Sequence, residues 1–440
     1  MEEKFDCIIV GGGVAGLSAA MVLARADVRF LLIERGSFCG AKNVSGGILW
    51  GRDLAKLVPD ASAHGDGVER FINHRRLSFL DDQSAFSVDF KSDHFSVEPH
   101  SGVSVLRSRF DAWLATQVES EIEKGSNAEN SFLATDILVE AVLREEGRVT
   151  GIRAGGEDFY ANTVILAEGV NNLLARQIGL EMDYVPADYM AVGVKEVISF
   201  ERSVLEDRFQ LSGDSGLTNE FVGWCSDGVS GGGFLYTNRE SVSVGLVLSI
   251  KDLREKRKTP YDLLNQFKSH TAVQDMLREG TVSEYSAHTV STGDIRAVPK
   301  KLFGNGVLLS GEAAHLLLNA GRAIQGMDYA MRSGILAGEA VLAAKEAGDF
   351  SEAQLSGYQT ALENSYIMKD MKQFQDAVHL MHEPAMASAV PNLICDFGRG
   401  YFTVDSKPSE KASTLMRAAI KRNAGYWDLI KLGTRAIRSL

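Results

Sequence analysis

Gly11, Gly13 and Gly16 stand in the pattern GxGxxG, and Glu34 follows 18 residues after the last of them. Glycines at that spacing suit one kind of chemistry. The first permits a tight turn, the second lets backbone approach a pyrophosphate with no Cβ in the way, and the third lets a helix sit close on a strand. A carboxylate about 20 residues further on is placed for ribose hydroxyls. The elements that must position these groups are legible around them. Asp6 to Val10 is a short β-branched run, as a buried parallel strand should be. Val14 to Ala26 is rich in Ala, Leu and Met. It is expected to be a helix whose first residues, Val14 and Ala15, offer N–H groups and a positive dipole end to phosphates. A second strand, Val28 to Ile33, delivers Glu34. With all five parts in register, the segment reads as a dinucleotide site rather than a structural glycine turn. It does not separate FAD from NAD. An acid at position 34 disfavours a 2′-phosphate, and hence NADP, by like-charge repulsion.

Three further segments point to FAD. In RSRFDAWL a helix opens with Asp111 in its first turn, and Arg109 is expected to project toward a phosphate; the plain alternative is a surface arginine. ANTVILAEGV reads as another buried strand, ending in Glu168 and Gly169, and cofactors lie at strand ends in open α/β sheets. The stretch from Gly304 to Ala344 holds a short strand that delivers Gly311 and Glu312, a loop with Gly321 and Gly326, and a long small-residue helix. A carboxylate there suits ribityl hydroxyls. Backbone N–H groups at Gly326 and Met327 suit an isoalloxazine carbonyl that gains charge on reduction. His315 reads as structural unless it touches the flavin.

The strand–GxGxxG–helix–strand–Glu start, RxxFD in the middle and a late GEAA resemble the FAD-binding fold of p-hydroxybenzoate hydroxylase, geranylgeranyl reductases and electron-transfer flavoprotein:quinone oxidoreductases. Finer motifs (GAKNVSGGILW, SGGGFLY, VSVGLVLS, IRAVPKKLFGNGVLLSGEAAH, NAGRAIQGMDYAMRSG and GRGYFTVDSKPSEK) resemble the FixC-type flavoproteins of the last family over nearly the whole chain. The resemblance implies FAD as cofactor and adds Arg35, Lys42, Ser45, Gly46 and Gly47 to its binding set. It implies electron-transfer flavoprotein, with α and β subunits, as electron donor, and a quinone as acceptor. Some relatives belong to electron-bifurcating complexes. Two departures matter. Glu312 stands where the family usually has Asp. The C-terminal four-cysteine segment of single-chain relatives is also missing, so the resemblance implies a separate small ferredoxin-like [4Fe–4S] subunit.

Residues 185–290 alternate with period 2, as an antiparallel sheet facing the flavin should, with a helix from about Pro260 to Gln274 nearby. Gly231, Gly232 and Gly233 interrupt one strand just before Phe234. They mark either a quinone head group or a simple bulge. Between Glu410 and Leu440, seven basic residues and two acids give +5 in a chain of net charge −12. Basic residues beside Trp and Leu suit an interfacial helix on anionic lipid, docking on an acidic partner, or packing on the chain's own domain.

The acidic balance excludes a nucleic-acid partner, because phosphate binding needs a basic face. Cys7, Cys39, Cys225 and Cys395 form no CxxC and read as reduced thiols of a cytoplasmic protein. HLMHE lacks HExxH spacing and a third ligand, so no metal is expected. No export signal is read in MEEKFD and no bilayer-spanning run is present; a cytoplasmic chain, peripheral on the inner face of the membrane, is expected. The expected fold class is α/β plus antiparallel sheet. A Rossmann-like FAD-binding domain (1–75, 101–180 and 291–350) is interleaved with a quinone-facing β-sheet domain (76–100 and 181–290), and a C-terminal helical region follows (351–440). No side chain is assigned as acid or base, since the flavin carries the chemistry. The alternatives are a geranylgeranyl-reductase-like isoprenoid reductase, a flavin-dependent aromatic monooxygenase of the same fold, and a flavin-bearing scaffold without quinone activity.

Overall fold

The computed structural model describes residues 4–43, 46–59, 61, 67–126, 128–180, 185–423 and 425–439. Five strands run parallel in the order Val307–Leu309, Glu157–Leu166, Lys4–Val10, Phe30–Ile33, Phe132–Ala134. The central stretches of this sheet are near-continuous apolar runs because both faces are covered. Cys7, Ile8, Ile9, Val164, Ile165 and Leu308 are all fully buried. The helix Val14–Arg25 follows the first strand, and Met327–Ala347 packs along it. Two glycines set that approach. A Cβ at Gly334 would lie 2.1 Å from the Ala15 carbonyl oxygen, and one at Gly338 would lie 2.8 Å from Val22 Cβ. The small-residue helix is thus a buried one. A third helix, Arg107–Ile122, buries Phe110, Leu114 and Val118, four residues apart on one face.

The second sheet has nine strands. Eight follow the order Thr281–Ser291, Met190–Ser199, Ser241–Ser249, Gly231–Thr237, Ser215–Gly223, Arg70–Leu80, Gly102–Leu106, Gly46–Trp50, and Ala85–Lys91 pairs onto Arg70–Leu80. Its pairs are antiparallel except Ser215–Gly223 with Arg70–Leu80. The expected domain limits cross this sheet, because the strands at 46–50, 70–80 and 102–106 all join it. Val194, Leu217, Phe221, Leu235, Val244, Leu246 and Leu248 point to one side and bury Leu264 and Phe267 of the helix Pro260–Ser269. The helix expected through Gln274 breaks at His270, whose Nδ1 accepts from Ala272 N–H at 3.2 Å and so starts a separate helix, Thr271–Leu277.

The basic tail forms two helices, Ala412–Asn423 and Tyr426–Ser439. The first packs on Ala389–Phe402 through the buried Ala419 and the ion pair of Arg422 with Asp396 at 2.8 Å. No described helix is long and apolar enough to cross a membrane. Where Ala389–Phe402 gives way to the connection before Ala412–Asn423, two apolar side chains are bare: Phe402 is 73% and Val404 93% exposed.

Candidate functional site

The carboxyl edge of the parallel sheet gathers most of the residues singled out above. Gly11 has φ +106°, and a Cβ there would lie 2.4 Å from the Ala167 carbonyl oxygen; at Gly16 it would lie 2.0 Å from the Gly11 carbonyl oxygen. The fold itself demands these two glycines. Gly13 differs. Its φ is −88°, and the nearest atom to an added Cβ is Arg107 Nη2 at 3.8 Å. Among the described residues nothing requires that space to be empty. Space before a helix start, with a guanidinium across it, fits a diphosphate.

Glu34 is fixed beneath the turn. Gly12 N–H donates to its Oε2 at 2.8 Å and Gly36 N–H to its Oε1 at 2.6 Å. Arg35 and Lys42 lie exposed on the following loop, and Ser45 falls outside the described residues. Gly46 packs within the second sheet and Gly47 against the start of the long helix: a Cβ at Gly46 would lie 1.9 Å from Ser243 Oγ, and one at Gly47 would lie 2.9 Å from Met327 Cε. Gly311 has φ +68° and backs onto Ala15, whose Cβ is 2.8 Å from where its own would be. Gly326 is the N-cap of Met327–Ala347.

Arg109 does not join this cluster. Its side chain is 67% exposed and reaches only Glu69 at 3.6 Å. The arginine that does is Arg107, two residues earlier and on another side of the helix. It forms a two-pronged pair with the buried Asp111 at 2.9 and 2.8 Å, and Asn43 Nδ2 also donates to Asp111 at 2.7 Å. Glu168 also turns away. Its carboxylate accepts the N–H groups of Leu174 and Ala175 at 3.0 and 2.8 Å and so caps the helix Leu173–Gln177. Gly169 beside it takes φ +79°. His315 is fully buried against Asn172 at 3.0 Å, a structural contact.

Glu312 accepts from Ser291 N–H at 3.2 Å. Burial pushes its carboxyl up, while Arg107 and Lys195 pull it back down. Lys195 was not anticipated. It lies on Met190–Ser199 and has no ion-pair partner among the described residues. Burial, and then Arg107, hold its amine down at about 7. His288, on the neighbouring strand, is held at about 4 by burial, Lys195 and Arg107. Period-2 reading of MAVGVKEVIS would have exposed Lys195, the one charged residue in the row Ala191, Gly193, Lys195, Val197.

The three consecutive glycines meet protein atoms. A Cβ would lie 2.0 Å from the Val247 carbonyl oxygen at Gly231, 2.7 Å from the Phe221 carbonyl oxygen at Gly232, and 2.9 Å from Phe267 Cζ at Gly233. Close packing inside the sheet therefore accounts for all three. Phe234 faces the other way and stacks on Tyr236 at 4.8 Å. The four cysteines are buried free thiols, and among the described residues no three His, Cys, Asp or Glu side chains gather as a metal site.

Comparison with known proteins bears on this arrangement. Residues 6–126 match the family model described as FAD dependent oxidoreductase. Residues 190–290 match ETF-QO, ubiquinone-binding, and 377–440 match the ETF-QO/FixC family C-terminal domain. The chain is 39% identical to the probable electron transfer flavoprotein-quinone oxidoreductase YdiS and 41% identical to FixC, both of Escherichia coli K12, over the full length of each. FixC of Azorhizobium caulinodans is 36% identical over 97% of both chains. Among solved structures, a geranylgeranyl bacteriochlorophyll reductase-like protein from Thermoplasma acidophilum superposes with TM-score 0.72 over 98% of both chains at 19% identity. The myxobacterial halogenase CndH gives 0.65 at 17% identity, covering 97% of this chain and 92% of that one. Those last two likenesses establish the shared fold alone. Full-length kinship near 40%, joined to a turn that leaves space for a diphosphate, places this FAD-dependent oxidoreductase in the ETF-QO/FixC family.

Proposed function

We propose that the chain takes electrons from an electron-transfer flavoprotein and delivers them to a membrane quinone, with a small ferredoxin-like [4Fe–4S] subunit completing the path. The observation that carries this reading is the second sheet: its segment 190–290 matches the ubiquinone-binding description, and it carries the buried, stacked aromatic pair Phe234 and Tyr236. FAD supplies the exchange between electron pairs and single electrons. The protein's part is to hold and orient. The glycine turn and Arg107 take the diphosphate, Glu34 the ribose, Glu312 the ribityl hydroxyls, and the Gly326–Met327 backbone the edge of the ring system. Lys195 adds a second cation to the cleft.

A quinone dissolved in lipid requires the chain to rest on a membrane. The exposed Phe402 and Val404, followed by Lys411 and by a helix bearing Arg417, Lys421 and Arg422, suit shallow insertion beside anionic headgroups, on the cytoplasmic face. The test is direct. The FAD-loaded chain, supplied with reduced electron-transfer flavoprotein from its host and the cluster subunit, should reduce a short-chain quinone. Failure with quinone, together with reduction of polyprenyl double bonds or oxidation of NAD(P)H in oxygen, would replace this reading by one of the alternatives.

A further inference from the structure

Strand pairing aligns residues that lie far apart in sequence. Across six strands, Ser286, Lys195, Gly245, Phe234, Glu220 and Leu77 stand opposite one another in one row. Residues paired in this way share a face. The row continues to Val88 on the outer strand, which is 56% exposed, beside Phe90 at 58%. In the next row Arg75, Thr218, Tyr236 and Ser243 are aligned. An apolar path thus leads from a bare sheet edge to the aromatic patch of Ile48, Ile72, Phe234 and Tyr236, against which Trp50 and Val247 pack.

Glu220 stands on that path, half-buried. Two other buried acids are neutralised by cations, Asp111 by Arg107 at 2.8 Å and Glu196, on the opposite face of the same sheet, by Lys268 at 2.7 Å, whereas Asp328 is held by the Gln325 amide at 2.8 Å. No cation pairs with Glu220 among the described residues. Arg75, in the adjacent row, lies instead over the Trp50 ring at 4.6 Å and donates to the Arg322 carbonyl. That carbonyl belongs to the loop leading to Gly326 and Met327, so the row beside Glu220 touches that loop. Burial pushes its carboxyl up to about 7, against the pull of Arg75 and the Thr218 hydroxyl. Tyr236 is the other titratable group facing it, and it stays protonated because burial and Glu220 both raise it. An unpaired acid on an apolar path adds nothing to stability. It does suit general-acid chemistry, which works best when the donor titrates near the working pH.

We propose that Glu220 is the proton donor to a quinone held at the rim of the Phe234–Tyr236 patch. This rests on the quinone reading above. A quinone taken to its hydroquinone gains two electrons and two protons. Bound flavin would supply both electrons and one of the protons. The second proton leaves the Glu220 carboxyl, and the resulting carboxylate is reprotonated from solvent.

The test uses the full FAD-loaded chain together with the cluster subunit, reduced with dithionite and then mixed with one of two acceptors: a short-chain quinone, or ferricyanide, which takes electrons without protons. In the wild type, the quinone rate should fall as pH rises through about 7. Glu220→Gln should lose roughly 10²-fold with quinone, the low end of general-acid effects. It should also lose the limb near neutrality, while reoxidation by ferricyanide and FAD content stay within two-fold of wild type. Glu220→Asp should restore most of the quinone rate. A Glu220→Gln chain with wild-type quinone rates and pH profile overturns the proposal alone, as does equal loss with both acceptors. A wild-type chain that reduces ferricyanide but never quinone overturns the quinone reading itself, and the proposal with it.

Discussion

Replacing Gly13 should separate folding from cofactor binding, because its site is empty for a reason the fold does not supply. Consider alanine first. The backbone at Gly13 has φ −88° and ψ −175°, which any residue adopts, and the added Cβ meets nothing closer than Arg107 Nη2 at 3.8 Å. Ala is a poorer N-cap than Gly, but it lowers the entropy of the unfolded chain. The two effects oppose each other and each is about 1 kcal/mol or less. Cofactor-free Gly13→Ala and Gly13→Val should therefore melt within about 1 °C of wild type, taking ~2 cal/mol/K of unfolding entropy per residue. Gly16→Ala is the control. Its Cβ would lie 2.0 Å from the Gly11 carbonyl oxygen, and such overpacking costs about 1–3 kcal/mol or more. Added FAD at ~100 times its dissociation constant should stabilise the wild type by about 2.7 kcal/mol, or roughly 3 °C on the same entropy scale. That rise, and the yellow colour, should be absent from Gly13→Val. Thermal melts with and without FAD read both quantities. Full flavin retention by Gly13→Val would refute the placement of the diphosphate. A cofactor-free Gly13→Ala chain that melts as low as Gly16→Ala would refute the claim that the space is spare.

Arg107→Ala should lower FAD affinity at least tenfold in a fluorescence titration, while Arg109→Ala, which removes only an exposed contact to Glu69, should leave it unchanged. Phe402→Asp with Val404→Asp should weaken flotation on vesicles containing anionic lipid in low salt without shifting the melting temperature, because both side chains are bare in the folded chain.

Local patterns carried much of the fold into view. The first strand, turn and helix are contiguous, and Gly11 and Gly16 meet the close backbone that their spacing implies. The long helix after Gly326 announced its burial through small residues, and Gly334 and Gly338 show why. Errors arose where direction in space decided the outcome. Arg107 and Arg109 are two residues apart, and on a helix starting at 107 that turns them about 200° away from each other. Only Arg107 has Asp111 four residues on, over the same face. Glu168 stands at a strand end like a ligand carboxylate, yet the chain folds back and spends it on the next helix. Gly231 to Gly233 raised a choice between ligand and packing that needed the neighbours Val247, Phe221 and Phe267, all distant in sequence. Lys195 and Glu220 escaped notice for the same reason: the row that makes them face one cleft is set by strand register, not by spacing along the chain.

On the proposal above, that row would let one sheet serve two ligands. Lys195 and Glu220 are of opposite charge type, yet both titrate near 7, one brought down from 10.5 and the other up from 4.5. Mutual attraction would move each the other way. Two residues, Gly245 and Phe234, lie between them in the row, so three strand spacings of ~4.8 Å separate their backbones by roughly 14 Å. At an effective dielectric constant of about 20 their attraction is only about 1 kcal/mol, less than one pKa unit. Local surroundings therefore govern each group. Lys195 answers to burial, Arg107 and Glu312 on the diphosphate side, and Glu220 to burial and Arg75 on the aromatic side. Keeping the two apart by uncharged residues lets an anion charge Lys195 on arrival without drawing the proton from Glu220. If Glu220 delivers a proton as proposed, the spacing of strands, more than any single residue, would keep cofactor binding and proton delivery independent.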